Sequence, residues 1–143
     1  MEKKDLNEGW YCYRSTDPEA AFPVTLPHDA MLLDEKNAQS RAGRNNGWYD
    51  AQDYTYEKRF FVSSGEQHDL LYLEFEGVYQ HAQVCVNGHQ VAYQAYGYMG
   101  FYVDITEHVR VGEDNLLTVS VRNADQPNSR WYSGTGIYRP VWL

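Results

Sequence analysis

From Tyr54 onward the chain is a succession of short β-prone runs separated by turn residues, and this pattern constrains the fold more than any other feature. YTYEKRFFV at 54–62 is followed by DLLYLEFEGV, in which Leu71, Leu73 and Phe75 alternate with Tyr72, Glu74 and Glu76. Successive side chains on a strand point to opposite faces, so this spacing gives one buried face and one wet face. HAQVCVNGHQVAY carries Asn87-Gly88 between two such runs. That dipeptide suits the positive φ angles of a type I′ turn and predicts a hairpin. FYVDITEHVRV reads as a strand ending in a turn near Asp104 and Thr106, GEDN as a loop, and LLTVSVRN as another alternating strand. IYRPVWL closes the series as a last strand, placed at an edge or a bulge because Pro140 has no N–H to give a ladder. With no helical periodicity of any length, the pattern predicts an all-β, antiparallel sandwich.

The first fifty residues differ. Pro18, Pro23, Pro27, Gly43 and Gly47 interrupt them, and they read as an extended segment (1–50) that wraps the main strands (51–143), anchored by Leu6 and Trp10. A chain of 143 residues is one domain in length and buries roughly two thirds of its unfolded surface without a staple. Cys12 and Cys85 form no CxxC motif and have no histidine cluster at zinc spacing, so they read as two free thiols, with a single disulfide as the alternative.

A net charge of -8 repels phosphate backbones and anionic lipid, and no basic stripe interrupts it, which argues against nucleic acid and membrane surfaces as partners. The opening MEKKDLNEGW lacks the apolar core of a secretory signal, and no run is long and apolar enough to span a bilayer; a soluble, cytoplasmic protein is expected. The 15% aromatic content, with 13 Tyr and 4 Trp, favours strands and surfaces that contact sugars or other domains.

Four groups of residues invite a chemical reading. Glu74 and Glu76 share a strand face with Cβ atoms roughly 7 Å apart, but a solvated face lacks the burial that raises one pKa, and a retaining carboxylate pair must flank its sugar from opposite sides. His28-Asp29 are neighbours on an extended stretch and point apart, so turn chemistry after Pro27 is the expected use. Tyr93, Tyr96, Tyr98 and Tyr102 would suit either a carbohydrate-stacking surface or a domain contact. Asn128-Ser129-Arg130-Trp131 sets an amide, a hydroxyl, a guanidinium and an indole just before a glycine-rich turn. Asn and Arg satisfy sugar hydroxyls with fixed-geometry hydrogen bonds, and an indole covers the apolar C–H face of a sugar.

These runs also form an ordered series: LNEGW at 6–10, LPHD at 26–29, GWY at 47–49, the FEGV run at 75–78 and VNGH at 86–89. It continues with YGYMGFYVDIT at 96–106, GEDNLLTVSV at 112–121 and NSRWYSGTGIYRPVWL at 128–143. From about Leu6 to Leu143 the series resembles the N-terminal sugar-binding domain of glycoside hydrolase family 2, which comprises β-galactosidases, β-glucuronidases and β-mannosidases. The resemblance implies a jelly-roll-like, galactose-binding-domain-like sandwich, followed in a homo-oligomeric parent by an immunoglobulin-like domain and a TIM barrel. In that family two barrel glutamates about 5 to 5.5 Å apart hydrolyse β-glycosides with retention. No catalytic residue is therefore expected here, and the chain alone should be inactive; its ending in VWL without a linker fits a segment of a longer reading frame.

Carried over residue by residue, the resemblance implies that Arg130 and Ser129 lie nearest the substrate, with Asn128 and Trp131 as supports. The loop Arg44-Asn45-Asn46-Gly47 supplies Asn46 as a weaker candidate, since turn formation explains Asn-Gly equally well. Gly134, Gly136 and Arg139 look structural. Ser129 stands where some members carry a carboxylate that contacts both sugar and sodium, so no metal or cofactor is expected in this domain; Mg or Na sites of the parent would lie elsewhere. The SRWYSGTGIYR wording favours a β-galactoside as substrate. The competing readings are a β-glucuronidase or β-mannosidase parent, a free-standing carbohydrate-binding module, and a purely structural interface domain.

Overall fold

The computed structural model describes residues 1–143. Nine strands form it: β1 (Trp10–Arg14), β2 (Phe22–Val24), β3 (Tyr54–Val62), β4 (Tyr72–Phe75), β5 (Ala82–Val86), β6 (His89–Gln94), β7 (Phe101–Asp104), β8 (Glu113–Val121) and β9 (Val141–Trp142). There is no α-helix, only short 3-10 turns. A six-stranded sheet of order β2-β1-β3-β8-β5-β6 faces a three-stranded sheet of order β7-β4-β9, and all pairings are antiparallel. From β3 onward the chain passes between the two sheets at almost every connection, as a jelly-roll-like sandwich requires.

The alternating runs explain the core. On β4, Leu73 and Phe75 are buried and Tyr72 is exposed; on β8, Leu117, Val119 and Val121 are buried while Leu116, Thr118 and Ser120 are half-buried. β3 and β8 pair over nine residues, from Tyr54↔Val121 to Val62↔Glu113, and form the spine of the larger sheet. Asn87 and Gly88 take φ of 49° and 83°, the two positive angles of a type I′ turn, and join β5 to β6 as a hairpin. β9 follows Pro140 and lies on the edge of the smaller sheet, where Lys4 and Leu143 exchange backbone hydrogen bonds.

Two sequence expectations need correction. Residues 1–50 do not merely wrap the core: Trp10–Arg14 is an interior strand between β2 and β3, with Trp10 wholly buried and its ring edge-on to Tyr56 at 6.4 Å. WYCYR hides its period because aromatics occupy both faces, Trp10 buried and Tyr11 exposed. Leu6 and Trp10 are nonetheless the anchors, joined by Trp10 Nε1 donating to the Leu6 carbonyl. Likewise GEDN is not wholly loop, because β8 begins at Glu113. The buried Asn115 tolerates its place by bonding the backbone of Arg110 and Glu113 and the side chain of Asn87.

Cys12 and Cys85 are free thiols. They sit on β1 and β5, three strand steps apart, about 14 Å at ~4.8 Å per step, and a disulfide needs Cα atoms within about 7 Å. Burial pushes the Cys12 thiol up to about 12.

Candidate functional site

The segment after β8, residues 122–140, holds the candidate site. It has no regular secondary structure before β9, so side chains must satisfy its backbone and fix its path. At its base Asn123, wholly buried, donates its amide N–H groups to Thr135 Oγ1 (2.6 Å) and the Gly134 carbonyl (3.2 Å). Its Oδ1 accepts from Asn128 (2.7 Å) and Gln126 (3.2 Å). Asp53 Oδ1, at the start of β3, accepts the backbone N–H of both Asn123 and Ala124.

The second support is the LPHD run. His28 N donates to the Ile137 carbonyl and Ala30 N to the Thr135 carbonyl, so 28–30 runs beside 135–137. Asp29 caps the 3-10 turn Ala30–Leu33 through Met31 N and also accepts from Thr135 N, each at 3.0 Å, while Tyr132 donates its hydroxyl to Oδ2. Partial burial, with Asp29 alongside, raises the Tyr132 phenol far above its usual range. His28 Nδ1 lies 2.7 Å from the Tyr56 hydroxyl, and burial holds its imidazole below the usual pKa. His28 and Asp29 thus serve different partners and form no acid/base couple. Gly134, at φ 72°, backs onto the Asp29 carboxylate, and Gly136, at φ 130°, onto the Tyr56 hydroxyl.

The five residues singled out from sequence occupy distinct situations. Asn128 is committed: its amide bonds Asn123 and the Asp125 carbonyl, and its Oδ1 accepts from Tyr79. Ser129 donates to the Trp131 carbonyl and closes the turn at the tip. Trp131 is 58% exposed, its indole N–H held by Tyr98 at 2.8 Å. Asn46 is only 1% exposed; beneath the loop, its Oδ1 accepts from Ser133 N and its amide meets Met31 sulfur. Arg130 is exposed and enters none of the four ion pairs. It is the one hydrogen-bonding side chain between Gln126 and Thr135 without a partner in the domain.

Aromatic rings flank the tip. Tyr98 contacts Tyr79 (5.2 Å between centroids), Tyr96 (5.8 Å) and Trp131 (6.4 Å), and Tyr96, Tyr98 and Met99 are all exposed. The four tyrosines grouped from sequence do not share this surface. Tyr93 bonds His81, and Tyr102 sits on the outer face of the smaller sheet, where it donates to Glu74. Glu74 is drawn below the usual carboxylate range by its hydrogen bond with Lys3, the reverse of an acid catalyst, and Glu76 accepts from the Trp142 indole. Arg139 lies over the Tyr138 ring at 6.0 Å and donates no hydrogen bond to the loop.

A surface groove of about 680 Å³ lies by Lys3, Leu70, Tyr72, Tyr102 and Trp142 and shares no residue with 122–140. A polar cleft of about 190 Å³ borders Ala124 and Gln126 but does not reach Arg130. No three His, Cys, Asp or Glu side chains come together as a metal site, and no helix is long and apolar enough to cross a membrane. The tip offers N–H donors and an apolar ring, with neither a nucleophile nor a paired acid and base.

Asn123 and Asp53 were missed from the sequence. Asn123 did leave a signal: it continues the inward parity of Leu117, Val119 and Val121, where an amide must be bonded to be buried.

Comparison with known proteins agrees with this anatomy. The family described as "Glycosyl hydrolase 2 galactose-binding domain-like" matches residues 11–136. The chain is 36% identical to the β-galactosidase BoGH2A of Bacteroides ovatus, over 99% of its own length and 18% of that protein's. It is 32% identical to a β-glucuronidase of Bacteroides fragilis, over 84% of its length and 17% of the relative's. A crystal structure of a glycosyl hydrolase family 2 member from Bacteroides cellulosilyticus superposes with a TM-score of 0.92 at 30% identity, covering 99% of this chain and 20% of that one. The chain therefore spans about a fifth of the length of such relatives. On the family match, the identity and the shared sandwich together, this chain belongs to the galactose-binding-like domain family of glycosyl hydrolase 2.

Proposed function

We propose that this chain is the non-catalytic N-terminal domain of a retaining β-galactosidase-like glycoside hydrolase, and that it lends Arg130 to the substrate pocket of a catalytic domain elsewhere in the parent. The observation that carries this reading is the loop's bonding pattern. Every hydrogen-bonding side chain from Gln126 to Thr135 is tied inside the domain except Arg130, whose guanidinium is left to meet something outside it. Ser129 keeps lone pairs free beside it, Asn128 and Trp131 brace it, and Asn46 supports the loop from beneath.

The exposed set Tyr96, Tyr98, Met99 and Trp131 favours a partner as well as a sugar, and the rest of the parent chain is the partner we assign. Relatives named as galactosidases and as glucuronidases both match, so the galactoside rests on the wording of the 129–139 motif and on the absence of an added basic group for a uronate. A free-standing sugar-binding module is disfavoured. Small-ligand sites enclose most of the ligand's surface, and neither described cleft includes Arg130 or Trp131.

The test is turnover of p-nitrophenyl β-galactoside. Arg130→Ala in the full-length enzyme is expected to raise KM by about tenfold, the cost of one charged hydrogen bond, and the 143-residue chain alone to show no turnover. An unchanged KM, or hydrolysis by the isolated chain, would overturn the reading.

A further inference from the structure

We infer that Asn123 is the positioning residue that sets Arg130, by clasping the neck of the loop that presents it; this rests on the reading of Arg130 given above. The stretch 124–134 leaves the sandwich after β8 and returns beside the LPHD run, and Asn123 stands where its two limbs meet. One amide bonds both. Its N–H groups hold Gly134 and Thr135 on the returning limb, and its Oδ1 holds Gln126 and Asn128 on the outgoing limb. The capacity of an asparagine is two donors and two acceptor lone pairs, and all four are used, with Gln80 Nε2 a longer third donor to Oδ1 at 3.5 Å. Its backbone carbonyl also accepts from Gln126 and its backbone N–H is fixed on Asp53.

The chain of contacts continues outward. Asn128, gripped by Asn123, accepts from Tyr79, and two residues later the backbone carries Arg130. Trp131 is pinned to Tyr98, which packs on the same Tyr79. The tip is thus held at Asn128 and at Trp131, the residues that bracket Ser129 and Arg130, and Asn123 anchors the first of these to the sandwich. An Arg side chain has a long reach, so its binding geometry depends on where its backbone is fixed, and a displacement of about 1 Å at a polar contact is enough to weaken it severely.

The experiment is a double-mutant cycle in the full-length enzyme with p-nitrophenyl β-galactoside, reading kcat and KM separately for Asn123→Ala, Asn128→Ala, Arg130→Ala and the two doubles with Arg130→Ala. Asn123→Ala is expected to raise KM about tenfold with kcat within about twofold, and to add less than about twofold once Arg130 is gone. Asn128→Ala, at an exposed position, is expected to raise KM about threefold with the same loss of effect in the Arg130→Ala background. Should Asn123→Ala fail to fold, Asn128→Ala decides. An effect of Arg130→Ala with none from Asn123→Ala or Asn128→Ala, or full additivity in both doubles, overturns the positioning role while sparing the reading of Arg130. No effect from Arg130→Ala itself overturns both.

Discussion

Replacing Gly136 by alanine tests the packing beneath the site most sharply. The residue sits at φ 130°, and a Cβ there would lie 2.1 Å from the Tyr56 hydroxyl, 3.1 Å from Tyr56 Cζ and 3.2 Å from the His28 carbonyl. Tyr56 has nowhere to go, because it is wholly buried with Trp10 edge-on at 6.4 Å and the His28 ring at 5.7 Å. Backbone strain in a region L-residues avoid costs about 1–3 kcal/mol, and overpacking a rigid core about 1–3 kcal/mol more. The expected loss is about 4 kcal/mol. With an unfolding entropy of ~2.1 cal/mol/K per residue, a chain of 143 residues has ~0.3 kcal/mol/K, so the Tm should fall by about 13 °C in differential scanning calorimetry. Gly88→Ala is the control: φ is 83° but nothing lies within 4 Å of its Cβ, so strain alone, about 1–2 kcal/mol, should lower Tm by about 5 °C. In a Tyr56→Phe background the clashing oxygen is gone and the Gly136→Ala cost should drop to about 2 kcal/mol. A Tm loss for Gly136→Ala no larger than that for Gly88→Ala, or an equal cost with and without the Tyr56 hydroxyl, would refute the steric account.

Two further outcomes follow from residues beside the loop and from the hairpin. Burial lowers the His28 pKa in the folded chain, so the unfolded chain binds more protons as pH falls; this contribution is intact above the unfolded value of about 6.5 and is lost as pH drops through it toward the folded value. Urea midpoints should therefore decline from pH 7 to pH 5, and decline less in His28→Gln; equal slopes would show that His28 does not titrate with folding. Asn87→Ala removes bonds to the His108 carbonyl, Asn115 and Leu116 N at a position with φ of 49°, and should cost about 2 kcal/mol in urea unfolding, whereas a loss under about 0.5 kcal/mol would mean the turn does not depend on its side chain.

Legibility in the sequence followed the range of the interactions. β3, β4, β8 and the Asn87-Gly88 hairpin were readable because period-2 alternation and turn chemistry are local, and a buried face leaves its mark every second residue. β1 was not, because Trp10 and Tyr11 are both large aromatics although one is buried and the other exposed. The loop's tip could be named from its residue types, since an amide, a guanidinium and an indole advertise their chemistry. Its supports could not: Asp29 meets Thr135 across 106 residues and Asp53 meets Asn123 across 70, and spacing alone says nothing of which distant limbs will meet. Asn46 shows the opposite error of emphasis, for an Asn before Gly looks like a surface turn, yet here the side chain turns inward to hold Ser133.

The division of labour within the loop has a physical reason. Each ordered side chain costs rotamer entropy of up to about 2 kcal/mol, and a loop that met its partner disordered would pay that cost at binding. Here Asn123, Asn128, Trp131 and Tyr132 are fixed by bonds made on folding, with a buried sandwich beneath them to hold the geometry. Arg130 is exposed and enters no ion pair within the domain, as the contact proposed above needs. A loop that instead bonded Arg130 internally would gain only the worth of one surface ion pair, about 0–1 kcal/mol, and would have to give that bond up to reach anything outside the domain. An unpaired arginine on a loop whose neighbouring side chains are bonded on folding is thus consistent with the contact proposed above, which would order only the guanidinium.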